Sequence, residues 1–194
     1  MIDAIILAAG FGTRMGTSKP LLQIEGKPAL AQLTSRLRNA GIQQPIVVLG
    51  HESAAILSSV DLSGCCIVMN PDPARGLSSS LRLGLASVSD EAVGALILQA
   101  DMPTVSSETI RIVLAAAQDG ARIAAPFHRG IRGFPVYFDR ACVAELTTSL
   151  VGDRGARDYI KAHAGDLVRV EVDDPGCILD LDTPADLARV EGVA

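Results

Sequence analysis

The chain has 194 residues, of which 48% are hydrophobic and 3% aromatic, with no tryptophan. A length of this order usually corresponds to one domain, and the large apolar share excludes wholesale disorder. We therefore expect one domain over residues 1–194, with a core of Ala, Val, Ile and Leu that is typical of parallel strands buried under helices. The net charge of −5 and the shortage of aromatic side chains argue against a nucleic-acid partner, which would require basic and stacking side chains.

The cysteines and the N-terminus give no sign of a metal ribbon, a redox site or export. The four cysteines form no C-x-x-C pair and have no histidine at zinc-ligand spacing, so we expect small buried thiols. The apolar run at the N-terminus is interrupted by Asp3 and is preceded by no basic segment, unlike a signal peptide. No run approaches the ~20 apolar residues of a membrane-spanning helix. These observations predict a cytoplasmic protein without a membrane partner, and we expect a monomer or a weak dimer.

Short apolar runs alternate along the chain with segments of helical period, which is the pattern of a βαβ fold with a parallel sheet. The predicted strands cover residues 4–7, 46–49, 66–69, 95–98, 123–125, 168–172 and 177–179. The predicted helices cover residues 28–39, 52–60, 79–88, 107–118, 140–150, 156–162 and 184–190. Gly41 and Gly120 stand where left-handed C-terminal caps are expected, and Thr183 with Asp186 forms the start signal of the last helix.

Residues 127–138 break this alternation, because Gly130, Gly133 and Pro135 favour a loop and an irregular or antiparallel strand. The sequence as a whole therefore predicts a three-layer α/β fold with a mostly parallel sheet and a small irregular insertion.

A glycine-rich segment follows the first predicted strand directly and has the composition of an anion-binding loop. Gly10, Gly12 and Gly16 can expose backbone N–H groups to phosphate oxygens, and Arg14 and Lys19 add positive charge. The spacing G-x-G-x-x-x-G differs from the dinucleotide fingerprint, and Gly16-Thr17-Ser18-Lys19 differs from a P-loop. Arg14 suits the β- and γ-phosphate oxygens of a nucleoside triphosphate through its bidentate fork, and Lys19 suits the α-phosphate.

Carboxylates follow two apolar segments at the same predicted edge of the sheet. Asp101 follows the strand at 95–98, and Asp180 and Asp182 follow the segment at 177–179. The i, i+2 spacing of the last two on a strand would direct both side chains to one side. Carboxylates together with substrate phosphates make a site for Mg²⁺, which prefers oxygen ligands. We therefore expect Mg²⁺ as the cofactor.

Several motifs together resemble the MobA-like NTP transferase family, and among its branches the molybdenum cofactor cytidylyltransferases. In chain order they are Leu7–Gly10 with Arg14-Met15-Gly16 and Lys19, Asn70 with Gly76-Leu77-Ser78-Ser79-Ser80, Ala100-Asp101-Met102-Pro103, Arg132-Gly133-Phe134-Pro135, Gly152-Asp153-Arg154-Gly155-Ala156-Arg157, and Asp180-Leu181-Asp182-Thr183-Pro184-Ala185-Asp186. The resemblance covers the chain from end to end and implies a Rossmann-like sheet of the nucleotide-diphospho-sugar transferase type.

The resemblance also implies roles for individual residues. Arg14, Lys19 and Asp101 would be catalytic, and Asp101, Asp182 and Asp180 would hold the metal. The nucleotide would contact Leu7, Ala8, Ala9, Gly10, Gly12, Thr13, Arg14, Lys19, Gly76, Ser78 and Ser79. The acceptor would contact Arg132, Gly133, Pro135, Asp153, Arg154 and Arg157, with Arg129 as a further candidate. Phe134 stands where relatives often carry histidine, which leaves the acceptor open.

The expected reaction is transfer of a nucleoside monophosphate to a phosphorylated acceptor with release of pyrophosphate. Leu7-Ala8-Ala9-Gly10 resembles the cytidylyl-transferring relatives, whereas guanylyl-transferring ones tend to carry Leu-Ala-Gly-Gly, so CTP is favoured and molybdopterin is the implied acceptor. Alternatives are guanylyl transfer with GTP and transfer to a sugar 1-phosphate. From a different class, the chain could be a nucleotide-binding chaperone that inserts a finished cofactor into a client molybdoenzyme.

Overall fold

The fold is described from a computed structural model, which covers residues 1–10, 18–150, 155–181, 183 and 186. The strands are β1 Ile2–Ala8, β2 Gln23–Ile24, β3 Lys27–Pro28, β4 Ile46–Leu49, β5 Cys66–Met69, β6 Gly94–Gln99, β7 Ile123–His128, β8 Ile131–Arg132, β9 Val136–Asp139 and β10 Leu167–Glu171. The α-helices are α1 Ala29–Asn39, α2 Ser53–Ser59, α3 Leu77–Ala86, α4 Ser107–Gln118, α5 Arg140–Ser149 and α6 Arg157–Ala162.

The central sheet has the order β10-β7-β9-β6-β1-β4-β5, with β8 paired to β7 at its side. The strand pairs β1–β4, β1–β6, β4–β5 and β7–β10 are parallel, whereas β9 runs antiparallel to both β6 and β7. The predicted mostly parallel α/β sheet is confirmed. The irregular segment at 127–138 forms the end of β7, the short strand β8 and the start of β9, as predicted for an antiparallel insertion.

Successive side chains of β1 point to opposite faces of the sheet, and each face is covered by a layer of helices. Ala4, Ile6 and Ala8 join the core beneath α1, α2 and α4, whereas Ile5 and Leu7 join the core beneath α3, α5 and α6. Because both faces of a buried parallel strand are covered, the sequence of β1 is almost entirely apolar. The three-layer prediction is therefore confirmed.

Most predicted element boundaries agree with the structure to within two residues. α1 and α4 end as predicted, because the N–H groups of Gly41 and Gly120 and of the residues after them bond back to the last helical carbonyls. Thr183 and Asp186 exchange backbone-to-side-chain hydrogen bonds of 2.8 and 3.3 Å, as predicted for a helix start, although most of the residues predicted to form that helix, 184–190, lie outside the described residues.

The strand predicted at 177–179 is wrong. Pro175–Ile178 forms a 3-10 turn instead, and the Asp174 side chain caps it by accepting a hydrogen bond of 2.9 Å from the Gly176 amide. Proline fixes φ and cannot donate to a sheet ladder, so the turn chemistry of Asp174-Pro175-Gly176 outweighs the apolar run that follows. Within the described ranges, no helix combines the length and the apolar character needed to cross a membrane.

Candidate active site

The first cavity of interest lies at the point where the strand order reverses. After β1 the chain builds β4 and β5 on one side of it and then crosses to place β6 on the other side. Open α/β sheets bind ligands in the crevice at the carboxyl ends of such strands. A cavity of about 360 Å³ lies there, which we name the switch-point cavity. Its lining residues are Leu7, Ala8, Ala9, Gly10, Lys19, Pro20, Pro73, Gly76, Leu77, Ser80, Gln99, Ala100 and Asp101.

Lys19 and Asp101 form an ion pair in this cavity. Lys19 begins a 3-10 turn and Asp101 lies in the turn after β6, and Lys19 Nζ is 3.2 Å from Asp101 Oδ2. Each side chain is 21% exposed, so the pair is partly shielded from water. Removal from water strengthens the attraction between opposite charges. The structure therefore brings together two of the three predicted catalytic residues.

The N-terminus of α3 forms one wall of the switch-point cavity. Gly76 precedes the helix, and among the described residues no side chain caps its first turn, where the Ser79 amide donates a hydrogen bond of 3.0 Å to the Gly76 carbonyl. The start of α3, with the positive end of the helix dipole, therefore lies at this cavity. Asn70, which is 5% exposed, donates hydrogen bonds of 2.9 Å to Ser79 Oγ and to Ser80 Oγ and thereby fixes this turn.

The serines of this turn are arranged differently from the sequence prediction. α3 begins at Leu77, two residues earlier than predicted, because Gly76 adopts a φ of 91° and serves as the N-cap. Ser78 and Ser79 therefore lie on the other side of the first turn and line a separate groove. Ser80, which belongs to the same predicted motif but is not among the expected nucleotide contacts, is the serine that lines the switch-point cavity.

A second cavity of about 380 Å³ opens beside the first, and we name it the arginine cavity. It is lined by Leu7, Leu77, Leu81, Ile97, Gln99, Arg132, Phe134, Val136, Phe138, Ala156, Arg157, Ile160 and Asp180. Leu7, Leu77 and Gln99 line both cavities, so the two are continuous. Burial lowers the pKa of the Arg132 guanidinium, and the nearby charge of Arg157 lowers it further. An anion bound between these two arginines would relieve both effects.

Two of the predicted acceptor residues support this wall rather than line the cavity. Gly133 is buried against the backbone carbonyl of Cys177, where a Cβ would collide. Pro135 is also buried, and a cis peptide bond joins it to Phe134. Phe134, between them, is the residue that lines the cavity. Arg129 lies in the turn between β7 and β8 with a φ of 50° and is absent from the lining of either cavity.

Two of the three predicted metal ligands line the two adjoining cavities, Asp101 the switch-point cavity and Asp180 the arginine cavity. The carbonyl oxygen of Asp101 accepts a hydrogen bond of 2.8 Å from the Leu181 amide, which brings the segment after the 3-10 turn beside Asp101. Asp180 lines the arginine cavity, and Asp182 lies outside the described residues. Because 177–179 is not a strand, the argument that Asp180 and Asp182 share one side fails. Within the described part of the chain, no group of three or more acidic, histidine or cysteine side chains is arranged around a metal position.

Asp101 nevertheless fits a divalent cation. Its Oδ1 atom is buried and accepts no hydrogen bond from the residues that the structure describes, whereas Oδ2 is paired with Lys19. A buried carboxylate oxygen without a donor is costly unless a cation or water fills the position. Carboxylate oxygen is also the donor type that Mg²⁺ and Mn²⁺ prefer.

Other predicted site residues lie outside the described part of the chain. These are Gly12, Thr13, Arg14, Asp153, Arg154 and Asp182. All four cysteines carry free thiols, but the expectation of buried thiols holds only for Cys142 and Cys177, since Cys65 is partly buried and Cys66, at the start of the edge strand β5, is exposed. Burial raises the pKa of Cys177 to about 12 and also raises that of Cys142, so both remain protonated near neutral pH and are poor nucleophiles. Sequence reasoning missed Gln99, and its one signal was an amide at the carboxyl end of an otherwise apolar strand.

Comparison with known proteins agrees with this arrangement. The model of the MobA-like NTP transferase domain matches residues 4–167. Molybdenum cofactor cytidylyltransferase of Escherichia coli strain K12 is 30% identical over 95% of this chain and 93% of its own length. Nicotine blue oxidoreductase of Paenarthrobacter nicotinovorans is 25% identical over 97% of this chain and 96% of its own.

Solved structures show the same fold. The crystal structure of Rv0371c from Mycobacterium tuberculosis H37Rv superposes with a TM-score of 0.89 at 31% identity, covering 98% of this chain and 97% of that one. A manganese complex of Rv0371c superposes with a TM-score of 0.85 at 28% identity, covering 100% and 99%. With the family model covering most of its length, this chain belongs to the MobA-like NTP transferase family and is a nucleotidyltransferase.

Proposed function

We propose that the protein transfers CMP from CTP to the phosphate of molybdopterin or a closely related pterin cofactor, with release of pyrophosphate. The observation that carries this proposal is the continuity of the switch-point cavity with the arginine cavity through Leu7, Leu77 and Gln99. A nucleotide in the first and a phosphorylated acceptor in the second would meet at this junction. Leu7-Ala8-Ala9-Gly10 and the likeness to the E. coli cytidylyltransferase favour CTP and the pterin acceptor.

The reaction brings two anions together, and the residues of the site offset that repulsion. An oxygen of the acceptor phosphate attacks the α-phosphorus, the bond from that phosphorus to the bridging oxygen breaks, and pyrophosphate leaves with the electron pair. In this proposal Lys19 neutralises the α-phosphate and Arg14 the outgoing phosphates, while Arg132 and Arg157 hold the acceptor phosphate. The backbone of residues 8–10 and the positive end of the α3 dipole would orient the nucleotide without adding a charged side chain.

A divalent cation completes the proposed site. Asp101 would hold it through Oδ1, with Asp182 and Asp180 as the candidates for a further carboxylate, and Mg²⁺ is proposed as the physiological ion. When bound, the ion would polarise the α-phosphate and neutralise developing charge. The manganese complex of Rv0371c supports a divalent cation in a protein of this fold.

A pyrophosphate-release assay tests the proposal. The purified protein is incubated with Mg²⁺, each of the four ribonucleoside triphosphates, and either molybdopterin or glucose 1-phosphate. We expect release with CTP and molybdopterin, and none when Mg²⁺ is chelated. The control is Asp119→Asn, an exposed carboxylate after α4, which should retain full activity, whereas Asp101→Asn should lose it.

Each other outcome identifies a rival function. Faster release with GTP would indicate a guanylyltransferase, and release with glucose 1-phosphate a sugar nucleotidyltransferase. Tight binding of CTP and molybdopterin without pyrophosphate release would contradict the proposed reaction and favour the cofactor-insertion chaperone. Consumption of NADH or NADPH, assayed in parallel because of the P. nicotinovorans relative, would contradict it in favour of a redox activity.

A further inference from the structure

Gln99 occupies a distinctive place at the end of β6. It pairs with Leu7 in the parallel ladder between β1 and β6, so both stand at the carboxyl edge of the sheet. Ile97 packs in the layer of α3, α5 and α6, and Leu98 packs in the opposite layer. Because side chains alternate along a strand, Gln99 is directed to the side of Ile97, which is the side of the arginine cavity.

The chemistry of Gln99 differs from that of its surroundings. The other five residues of β6 are apolar or glycine and are buried, whereas Gln99 is the partly exposed one. Its side-chain amide makes no hydrogen bond to any residue that the structure describes, and its backbone carbonyl accepts one of 3.2 Å from the Met102 amide. Because Gln99 lines both cavities and its amide has no partner among the described side chains, the amide can bind a polar ligand there.

The position of Gln99 relative to the charged groups suggests which ligand this is. Of the three residues that line both cavities, Leu7, Leu77 and Gln99, it is the polar one. Lys19 and Asp101 lie in the cavity on one side of it, and Arg132 and Arg157 in the cavity on the other. An amide can donate two hydrogen bonds to phosphate oxygens without altering the net charge of the junction.

We propose that the Gln99 amide binds the attacking phosphate of the acceptor at the junction of the two cavities and orients it toward the α-phosphorus. This inference rests on the proposed function. Gln99 would exchange no proton and form no covalent bond. Its contribution is to hold the attacking oxygen in line, and misplacement of a reacting group by about 1 Å can cost about 10²-fold in rate.

The test separates acceptor binding from nucleotide binding. Gln99→Leu keeps the approximate size of the side chain and removes both hydrogen-bonding groups, and Gln118→Leu makes the same change at the exposed end of α4 as a control. The Kd of α,β-methylene-CTP is measured with Mg²⁺ by calorimetry. The Kd of molybdopterin is then measured by pterin fluorescence in the presence of that analogue, and kcat by pyrophosphate release with CTP.

We expect Gln99→Leu to raise the Kd of molybdopterin about tenfold or more and to lower kcat, while the Kd of α,β-methylene-CTP stays within about twofold. Gln99→Asn, which keeps the amide one methylene shorter, should restore part of the acceptor affinity. An unchanged acceptor Kd, or an equal rise in both Kd values, would overturn the inference. A wild-type protein that releases no pyrophosphate with any acceptor would instead contradict the proposed function.

Discussion

The ion pair between Lys19 and Asp101 allows the clearest test of the site, because its two members can be removed separately and together. Lys19→Met and Asp101→Asn keep the approximate shape of each side chain while removing its charge. The distance of 3.2 Å from Nζ to Oδ2 corresponds to a Coulomb attraction of about 5 kcal/mol at an effective dielectric constant of about 20, and of about 1 kcal/mol in bulk water.

Desolvation offsets a large part of this attraction. Each side chain is 21% exposed, so the pair is neither a freely solvated surface pair nor a fully buried one. We therefore expect a coupling free energy of about 1–2 kcal/mol when unfolding of the two single variants and the double variant is compared in a double-mutant cycle. The cycle isolates this pair from the other contacts of Lys19.

The same variants test the catalytic roles. Removing a group that stabilises developing charge typically lowers kcat about 10²–10³-fold, so each single variant should show a loss of this order in pyrophosphate release. Lys27→Met, which removes an exposed lysine in β3, is the matched control and should retain activity. A coupling below about 0.3 kcal/mol would refute the ion pair in solution. Losses smaller than about tenfold would refute the catalytic roles, whatever the coupling.

Three further predictions concern the acceptor, the core and the thiols. Arg157→Ala should raise the KM of the acceptor about tenfold in the pyrophosphate assay and leave the KM of CTP unchanged. Arg111→Ala on α4 is the control, and an equal effect of both variants would count against acceptor binding in the arginine cavity. Gly84→Ala should lower the free energy of unfolding by about 1 kcal/mol in urea denaturation, because the new Cβ would lie 2.6 Å from a methyl group of the buried Ile5 in β1. A variant more stable than the wild type would contradict this packing. Iodoacetamide at pH 8 should modify the exposed Cys66 in the folded protein, but it should modify Cys177 only after unfolding, because burial raises the pKa of the Cys177 thiol to about 12. Mass spectrometry distinguishes the two sites.

The fold could be predicted largely because its signals are local. The apolar sequence of β1 indicates a strand that is buried on both faces. The glycines after α1 and α4 indicate helix ends with a left-handed backbone conformation. The segment at 177–179 is different, because Cys177 is buried and Ile178 and Leu179 are partly buried against the core without being in a sheet. Hydrophobicity alone reports burial and cannot distinguish a strand from a turn that is packed against the core.

The site was predicted less completely, since its cavities are assembled from residues distant in sequence. Lys19 and Asp101 could be identified because each belongs to a recognisable segment. Gln99 could not, because its orientation depends on which face of β6 is covered. Ser80 belongs to a recognisable motif, but the choice among its serines depends on where α3 begins. For Gly133, in contrast, the motif predicted contact with a ligand, but Gly133 lines neither of the two cavities. The backbone of Gly133 approaches Cys177 so closely that no side chain would fit, which is a structural reason for glycine at this position.

The antiparallel strand β9 has a mechanical consequence for the protein. Within the described chain, the sheet formed by β5, β4, β1 and β6 is joined to β7 and β10 through the hydrogen bonds of Val136–Asp139. β9 therefore separates two parts of the sheet. Lys19 and Asp101 lie beside the part formed by β5, β4, β1 and β6, and Arg132 lies beside the part formed by β7 and β10. β7, β8 and β10 are not hydrogen-bonded to β1 or β6, so we expect substitutions in these three strands to leave the register of β1 and β6 unchanged. In the proposed reaction, this architecture would let the choice of acceptor diverge through changes around Arg132 while the geometry around Lys19 and Asp101 is preserved.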